Sequence, residues 1–127
     1  MTIGFLTSNP TFSAPLIAEL DRRGHVIVYT HSQSAEENAF QIGQLHERCD
    51  RFFVDWAQPP LEQVLATCSP LERPTFCRAH RIEMYCDQYI QQVPWNHLEG
   101  LFFVGQHVQD RFLSKVNNPP KRIINLG

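Results

Sequence analysis

The sequence predicts an α/β protein with a Rossmann-like open, mostly parallel sheet and helices on both faces. Short apolar runs alternate with segments of helical spacing along the whole chain, and most of the turns between them are tight. The length of 127 residues fits one domain, residues 1–127. A domain of this size buries enough apolar surface to fold without disulfides or metals.

The first βαβ unit is the clearest part of the pattern. Thr2–Thr7 is an apolar run that predicts a buried strand ending in a polar loop. In the helix that follows, Ser13 is the expected N-cap and Pro15 is expected in the first turn. Gly24 is expected to end this helix in the left-handed conformation. His25–Thr30 then predicts the second strand of a parallel sheet.

The rest of the chain repeats this alternation. Further strands are predicted over residues 51–56, 74–80, 101–104 and 122–125. Further helices are predicted over residues 35–45, 61–68, 83–93 and 106–116. Open parallel sheets bind ligands just outside the carboxyl ends of their strands. Ligand contacts are therefore expected from residues 8–13, 30–34, 55–58, 80–83 and 105–107.

Charge and hydropathy exclude several classes of partner. The formal net charge is −2, so no basic surface for nucleic acid is expected. No apolar run approaches the roughly 20 residues that cross a bilayer, and no transmembrane segment is expected. The first residues lack a basic stretch followed by a long apolar one, which argues against a signal peptide. A cytoplasmic protein is therefore predicted.

The cysteines and histidines do not show metal-ligand spacing. The four cysteines are widely separated and form no C-x-x-C pair, which favours reduced thiols over a zinc site. The histidines form no H-x-x-x-H pair. We therefore expect no metal and no cofactor. The loop after the first strand also lacks the G-x-G-x-x-G pattern of dinucleotide-binding domains.

Five stretches of the sequence form a recognisable pattern together: LDRRGHVIV (residues 20–28), FVDWA (53–57), CRAHRIEMY (77–85), PWN leading to LFFVGQHVQDRF (94–112) and KRIINLG (121–127). This pattern resembles the N-terminal domain of GT-B type retaining glycosyltransferases of the family 4 (group 1) kind. The segment RAHRIEMY is similar to the family's R-x-H-x-x-E-x-[FY] pattern. Gly105 stands where the family usually has serine.

The resemblance implies one half of a GT-B fold and transfer of a sugar from a nucleotide-sugar donor to an acceptor. In such enzymes the N-terminal half mainly holds the acceptor, here an unidentified sugar or lipid. A C-terminal donor-binding domain holds the nucleotide, and this sequence contains no counterpart of it. The chain alone is therefore expected to be inactive, and self-association through the surface that normally faces the partner domain is a further expectation.

His80 is the first candidate for a catalytic role. It follows a predicted strand, where open sheets place ligand contacts. The resemblance implies that it faces the donor sugar, and an imidazole can bind a hydroxyl or stabilise developing charge. Arg78 lies two residues earlier and points to the same side, towards either a phosphate or Glu83. Glu83 is either a substrate ligand or a helix N-terminal charge.

Asp55 and Trp56 form a second candidate binding corner. An indole face packs on sugar C–H groups and a carboxylate accepts hydrogen bonds from hydroxyls, although packing under the next helix is the plainer interpretation of Trp56. Trp95 is interpreted as a packing anchor.

The loop after the first strand supplies the remaining candidates. Ser8, Asn9 and Thr11 could offer side-chain hydrogen bonds to substrate. Many relatives have glycines here that let backbone N–H groups approach a phosphate at the helix N-terminus. Because this loop has no glycine, phosphate contact from this half is in doubt.

Two other functions compete with the enzyme. A receiver-like regulatory domain would need an acidic cluster after the first strand, and only Asp55 fits such a pattern. A degenerate glycosyltransferase half, kept as a non-catalytic binding or regulatory module, is favoured by the glycine-free first loop.

Overall fold

The computed structural model describes residues 1–56, 61–67, 73–80 and 83–127, and it confirms the predicted α/β class. The strands are β1 (Thr2–Thr7), β2 (His25–Thr30), β3 (Arg51–Asp55), β4 (Thr75–Ala79), β5 (Gly100–Phe103) and β6 (Ile123–Asn125). The helices are α1 (Pro10–Asp21), α2 (Ala35–Arg48), α3 (Glu62–Thr67), α4 (Asp87–Gln92) and α5 (Gln106–Lys115). Single 3-10 turns lie at Glu83–Tyr85 and Trp95–His97.

The strands pair in the order β2-β1-β3-β4-β5-β6, and every pair is parallel. From β1 the chain adds β2 on one side of the sheet, and it then adds β3 to β6 in order on the other side of β1. The direction therefore reverses between β1 and β3, and open sheets of this kind bind ligands in the crevice at such a reversal. The register places Thr7 beside Asp55, and Asp55 beside Arg78. The ends of β1, β3 and β4 thus meet at the crevice.

Helices α2 to α5 pack on one face of the sheet and enclose the main core. Ile42 of α2 and Phe112 of α5 belong to the same buried cluster as Phe52 and Val54 of β3. Trp95 lies in this core without solvent exposure, and its indole N–H donates to the Ile90 carbonyl at 2.7 Å. The interpretation of Trp95 as a packing anchor is therefore confirmed.

Helix α1 covers part of the opposite face. Right-handed crossovers place it there because β1 connects to β2 in the direction opposite to the later connections. Four phenylalanine rings pack together on this face of the sheet. The Phe5 and Phe53 rings are stacked with centroids 5.4 Å apart, and the Phe102 centroid lies 5.9 Å from that of Phe53 and 6.3 Å from that of Phe76. Side chains alternate along a strand, so Asp55 and Arg78 share this face with Phe53 and Phe76.

Helix α1 begins earlier than the sequence predicted. Asn9 is its N-cap and accepts a hydrogen bond from the Phe12 N–H at 3.1 Å, while Pro10 occupies the first helical position. The assignment of Ser13 as N-cap is therefore wrong, and Pro15 lies inside the helix. Asparagine caps as well as serine does, and proline at the first position is preset for helix. The helix therefore begins at the earlier cap, Asn9.

The predicted role of Gly24 is also wrong. Among the described glycines, a positive φ occurs at Gly105 and Gly127. A Cβ on Gly24 would instead lie 2.9 Å from the Met1 carbonyl oxygen, whose partner is the His25 N–H at 2.9 Å. The position therefore favours glycine because two backbone segments approach closely there.

The predicted helix over residues 83–93 is divided into the 3-10 turn Glu83–Tyr85 and α4. Contacts with α5 explain the interruption. The Met84 carbonyl accepts from Arg111 Nε at 3.0 Å, and the Tyr85 hydroxyl lies 2.6 Å from His107 Nε2. The bond from Arg111 satisfies a backbone carbonyl that a continuous helix would have paired internally.

Several sequence features fall partly outside the described residues. These are the predicted ligand-contact segments 55–58 and 80–83, the predicted helix over residues 61–68, and Cys68. Of the cysteines that the structure describes, Cys49 and Cys77 are buried and Cys86 is exposed. Within the described ranges, the helices are too short or too polar to cross a bilayer.

Candidate functional site

A buried carboxylate lies at the centre of the candidate site. Asp55 ends β3, has no solvent exposure, and accepts four hydrogen bonds from side chains. Arg78 donates two of them, from Nε to Oδ1 at 2.8 Å and from Nη2 to Oδ2 at 2.5 Å. Ser13 Oγ donates to Oδ2 at 2.6 Å, and His80 Nε2 lies 2.9 Å from Oδ1. We call Asp55, Arg78, His80 and Ser13 the Asp55 network.

The partners of Asp55 determine its charge. Burial by itself raises the pKa of Asp55, but the hydrogen bonds from His80, Arg78 and Ser13 and the Arg78 charge outweigh it and hold this pKa well below its ordinary value. Asp55 is therefore a carboxylate at neutral pH and can only accept hydrogen bonds. It follows that His80 Nε2 carries a hydrogen and donates a hydrogen bond to Asp55.

A chain of hydroxyl groups extends the network to the backbone of the first loop. Because the Ser13 hydroxyl donates to Asp55, it accepts from Thr7 Oγ1, which lies 2.9 Å away. Thr7 Oγ1 in turn accepts from the Asn9 N–H at 3.0 Å. All three hydrogen bonds point in the same direction, so each polarises the next and strengthens the hold on Asp55.

Aromatic rings cover the outer side of the network. The Trp56 ring stacks on the His80 ring with centroids 4.0 Å apart and planes within 17°. Phe12, half exposed at the start of α1, contacts both, with centroids 5.5 Å from His80 and 5.6 Å from Trp56. The Arg78 guanidinium carbon lies 5.7 Å from the Phe12 centroid. His80 is therefore fixed by Asp55 at one ring nitrogen and by Trp56 on one face.

Trp56 has two unusual properties. Its φ is +81°, which non-glycine residues rarely adopt. Its buried indole N–H has no acceptor among the residues that the structure describes. A strained backbone and an unsatisfied buried donor both cost free energy, and such features are concentrated at functional sites.

The structure describes most of the predicted site residues, and it places them differently. The structure brings four of them into contact: Asp55, Arg78, Trp56 and His80. The sequence predicted a phosphate or Glu83 as the partner of Arg78, whereas its partner in the structure is Asp55. The side chain of Glu83 lies outside the described part of the chain, so its role stays a prediction. Roles for all these residues in substrate binding or catalysis also stay predictions.

The first loop serves mainly to build α1. Asn9 caps this helix, whereas Ser8 and Thr11 are exposed to solvent. The N–H groups of Phe12 and Ser13 bond to the Asn9 side chain and carbonyl. These two amides therefore already have partners, in keeping with the lack of glycine in this loop.

Sequence reasoning missed Thr7 as a member of the site, and it included Ser13 and Phe12 only as part of the ligand-contact segment 8–13 without assigning them a role in it. Ser13 was assigned a capping role that Asn9 fills, and Thr7 was regarded only as the end of a strand. A hydroxyl at the carboxyl end of a buried strand was the available signal, because that position faces the crevice. Phe12 gave a weaker signal, as an aromatic residue in a polar loop.

Metal binding finds no support within the described ranges, where no three or more His, Cys, Asp or Glu side chains are grouped so as to hold an ion. No family model matches the chain, no curated protein matches it, and no solved structure matches it. Function must therefore be inferred from the site itself.

Proposed function

We propose that this chain is the acceptor-side half of a glycosyltransferase that transfers a sugar from a nucleotide-sugar donor. The observation that carries the proposal is the Asp55 network, gathered under an aromatic cover where the winding of the sheet reverses. Its histidine, arginine and tryptophan stand in the segments that resemble this enzyme family. The proposed acceptor is a sugar or a lipid, and a C-terminal donor-binding domain is the proposed partner.

The fixed orientation of His80 suits it to act on a sugar. With Nε2 bonded to Asp55, this proposal assigns the ligand contact to the other ring nitrogen, Nδ1. In the neutral ring Nδ1 accepts a hydrogen bond from a sugar hydroxyl, and in the protonated ring it donates one to an oxygen that gains negative charge. Groups fixed before the reaction stabilise such charge well because they need not reorganise. In this proposal His80 is the catalytic residue, and Asp55 is its positioning residue.

The aromatic cover suits a carbohydrate ligand. Phe12 is half exposed beside His80, and aromatic faces pack against the apolar C–H groups of sugars. The Trp56 indole N–H, unsatisfied among the described residues, could find its acceptor in a ligand hydroxyl. Closure of the donor domain over this cover would exclude water from the reaction.

The test is a transfer assay with nucleotide-sugar donors. It uses the protein with any sequence that its gene encodes beyond Gly127. His80→Ala should lower kcat about 100-fold or more because preorganised stabilisation of charge is lost. His97→Ala is the matched control, since His97 is an exposed histidine in a 3-10 turn away from the network. Unfolding curves for both variants would show that the fold is kept.

Two results would contradict the proposal. One is full turnover by His80→Ala in a protein that does transfer sugar. The other is robust transfer by the 127-residue chain alone, which would refute the division of labour between the two halves.

A non-catalytic binding module is the second candidate, and one observation favours it. The four donors around Asp55 are all protein groups, and the carboxylate has no solvent exposure, as in a purely structural network. In that case His80→Ala would change stability but no rate. The assay above therefore separates the two candidates.

A further inference from the structure

A pocket lies at the carboxyl ends of β1 and β2. It encloses about 510 Å³ and is lined by Ser8, His31, Ser32, Gln33, Ala35, Asn38 and Gln63. Thr7 links this pocket to the Asp55 network. Its hydroxyl belongs to the series of hydrogen bonds that leads to Asp55, and its carbonyl accepts from the His31 N–H at 2.8 Å. The pocket is lined from α2 and α3, whereas the network lies on the face that α1 covers.

Asn38 determines the form of this pocket. It is buried in α2, and its amide bridges the loop after β2. Oδ1 accepts from the Ser32 N–H at 2.9 Å, and Nδ2 donates to the Ser32 carbonyl at 2.9 Å. Backbone groups have fixed roles as donor and acceptor, so these two bonds settle which atom of the Asn38 amide is which.

The orientation of Asn38 also settles the state of His31. Asn38 Nδ2 lies 3.1 Å from His31 Nε2 and can only donate, so Nε2 accepts and carries no proton. The ring is then neutral, with its proton on Nδ1. Burial lowers the pKa of His31, which agrees with a neutral ring at physiological pH.

The described lining of the pocket contains no charged side chain. Its polar groups are hydroxyls, side-chain amides and a neutral imidazole. Glu36 and Glu37 follow in the first turn of α2 and place negative charge at the helix end where an anion would otherwise be favoured. A phosphate, a carboxylate or an anionic lipid headgroup would lack a cation among these lining residues, whereas a neutral, hydroxyl-rich ligand would not need one.

We infer that this pocket binds a neutral, hydroxyl-rich ligand, namely an uncharged saccharide. Its volume and uncharged lining, its place at the strand ends and its rigid support by Asn38 carry the inference. The identification of this saccharide as the acceptor rests on the proposed function, and the binding itself does not. The acceptor is then a neutral glycan end and not a lipid or a charged polymer.

The test is an NMR titration of the chain with maltotriose, chitotriose and mannotriose as neutral probes, and with anionic phospholipid vesicles and sulfated disaccharide as charged probes. At least one neutral probe should shift the amide signals of residues 31–38. Gln33→Ala and Gln63→Ala should each weaken that binding about three- to tenfold, the effect of one lost hydrogen bond. Gln91→Ala, at an exposed glutamine of α4, should leave it unchanged.

Each outcome of the titration either supports or overturns the proposed saccharide site. Saccharide binding that responds to Gln33→Ala and Gln63→Ala but not to Gln91→Ala supports the pocket, even if the protein transfers no sugar. Binding of the vesicles or the sulfated sugar at these residues in place of the neutral probes overturns it. Lack of binding by all three neutral probes at millimolar concentration also overturns it, even if the protein proves to be a glycosyltransferase.

Discussion

Asp55→Ala tests the Asp55 network directly. The change removes the acceptor of four hydrogen bonds and leaves the Arg78 charge without its partner. Removal of one member of a buried ion pair costs about 3–5 kcal/mol. The Arg78 side chain is 20% exposed, so water can solvate part of the charge, and we expect the lower end, about 3 kcal/mol. This is a large part of the roughly 5–15 kcal/mol that stabilises a typical domain.

The assay is urea unfolding followed by tryptophan fluorescence. The midpoint should fall while the m-value stays the same, because the surface exposed on unfolding hardly changes. In a domain of this size the loss corresponds to a fall in Tm of about 12 °C. Asp110→Ala is the control, since Asp110 is exposed and accepts from Gln106 Nε2 at 2.9 Å, and its loss should change stability by less than about 0.5 kcal/mol.

The pH dependence of the same variant gives a second measure. The pKa of Asp55 is lowered in the folded state, so its stabilisation is complete above the ordinary pKa of 3.8 and is lost as the pH falls towards the folded value. The difference between wild type and Asp55→Ala should therefore shrink below about pH 4. A loss of stability below about 1 kcal/mol at neutral pH, or a difference that grows in acid, would refute this account of the network.

Three glycine substitutions, measured by the same unfolding assay, test the backbone. Gly24→Ala should destabilise the protein by about 1–3 kcal/mol because its Cβ would press on the Met1 carbonyl, and wild-type stability would contradict this. Gly43→Ala, in α2 with open space around the added Cβ, should stabilise it by about 1 kcal/mol, and any loss would count against the helix assignment. Gly105→Ser should cost about 1–3 kcal/mol because φ is +103°.

The order and type of most elements followed from local pattern. Apolar runs marked all six strands, and the predicted bounds of β1 and β2 agree with the structure. The errors arose where a tertiary partner or a competing cap decided the outcome. Asn9 displaced Ser13 as N-cap, and contacts from α5 divided the helix predicted over residues 83–93.

The site was only partly visible in the sequence. Asp55, Arg78 and His80 were identified because strand ends in an open sheet face the crevice. Their mutual contacts were not identified, because they depend on the register of β3 with β4. Asn38 could have been noticed, since it shares a helical face with the buried Ile42 and Leu45, where a polar side chain needs a partner.

The sequence by itself determined the α/β class and the residues that occupy the strand ends, because periodicity and turn chemistry act over a few neighbouring residues. Only the tertiary structure decided that Ser13 and Arg78 bind Asp55, and that His80 donates a hydrogen bond to it from Nε2. Those contacts join residues 23 to 42 positions apart along the chain. Strand order and register bring them together, and a local pattern carries no information on either.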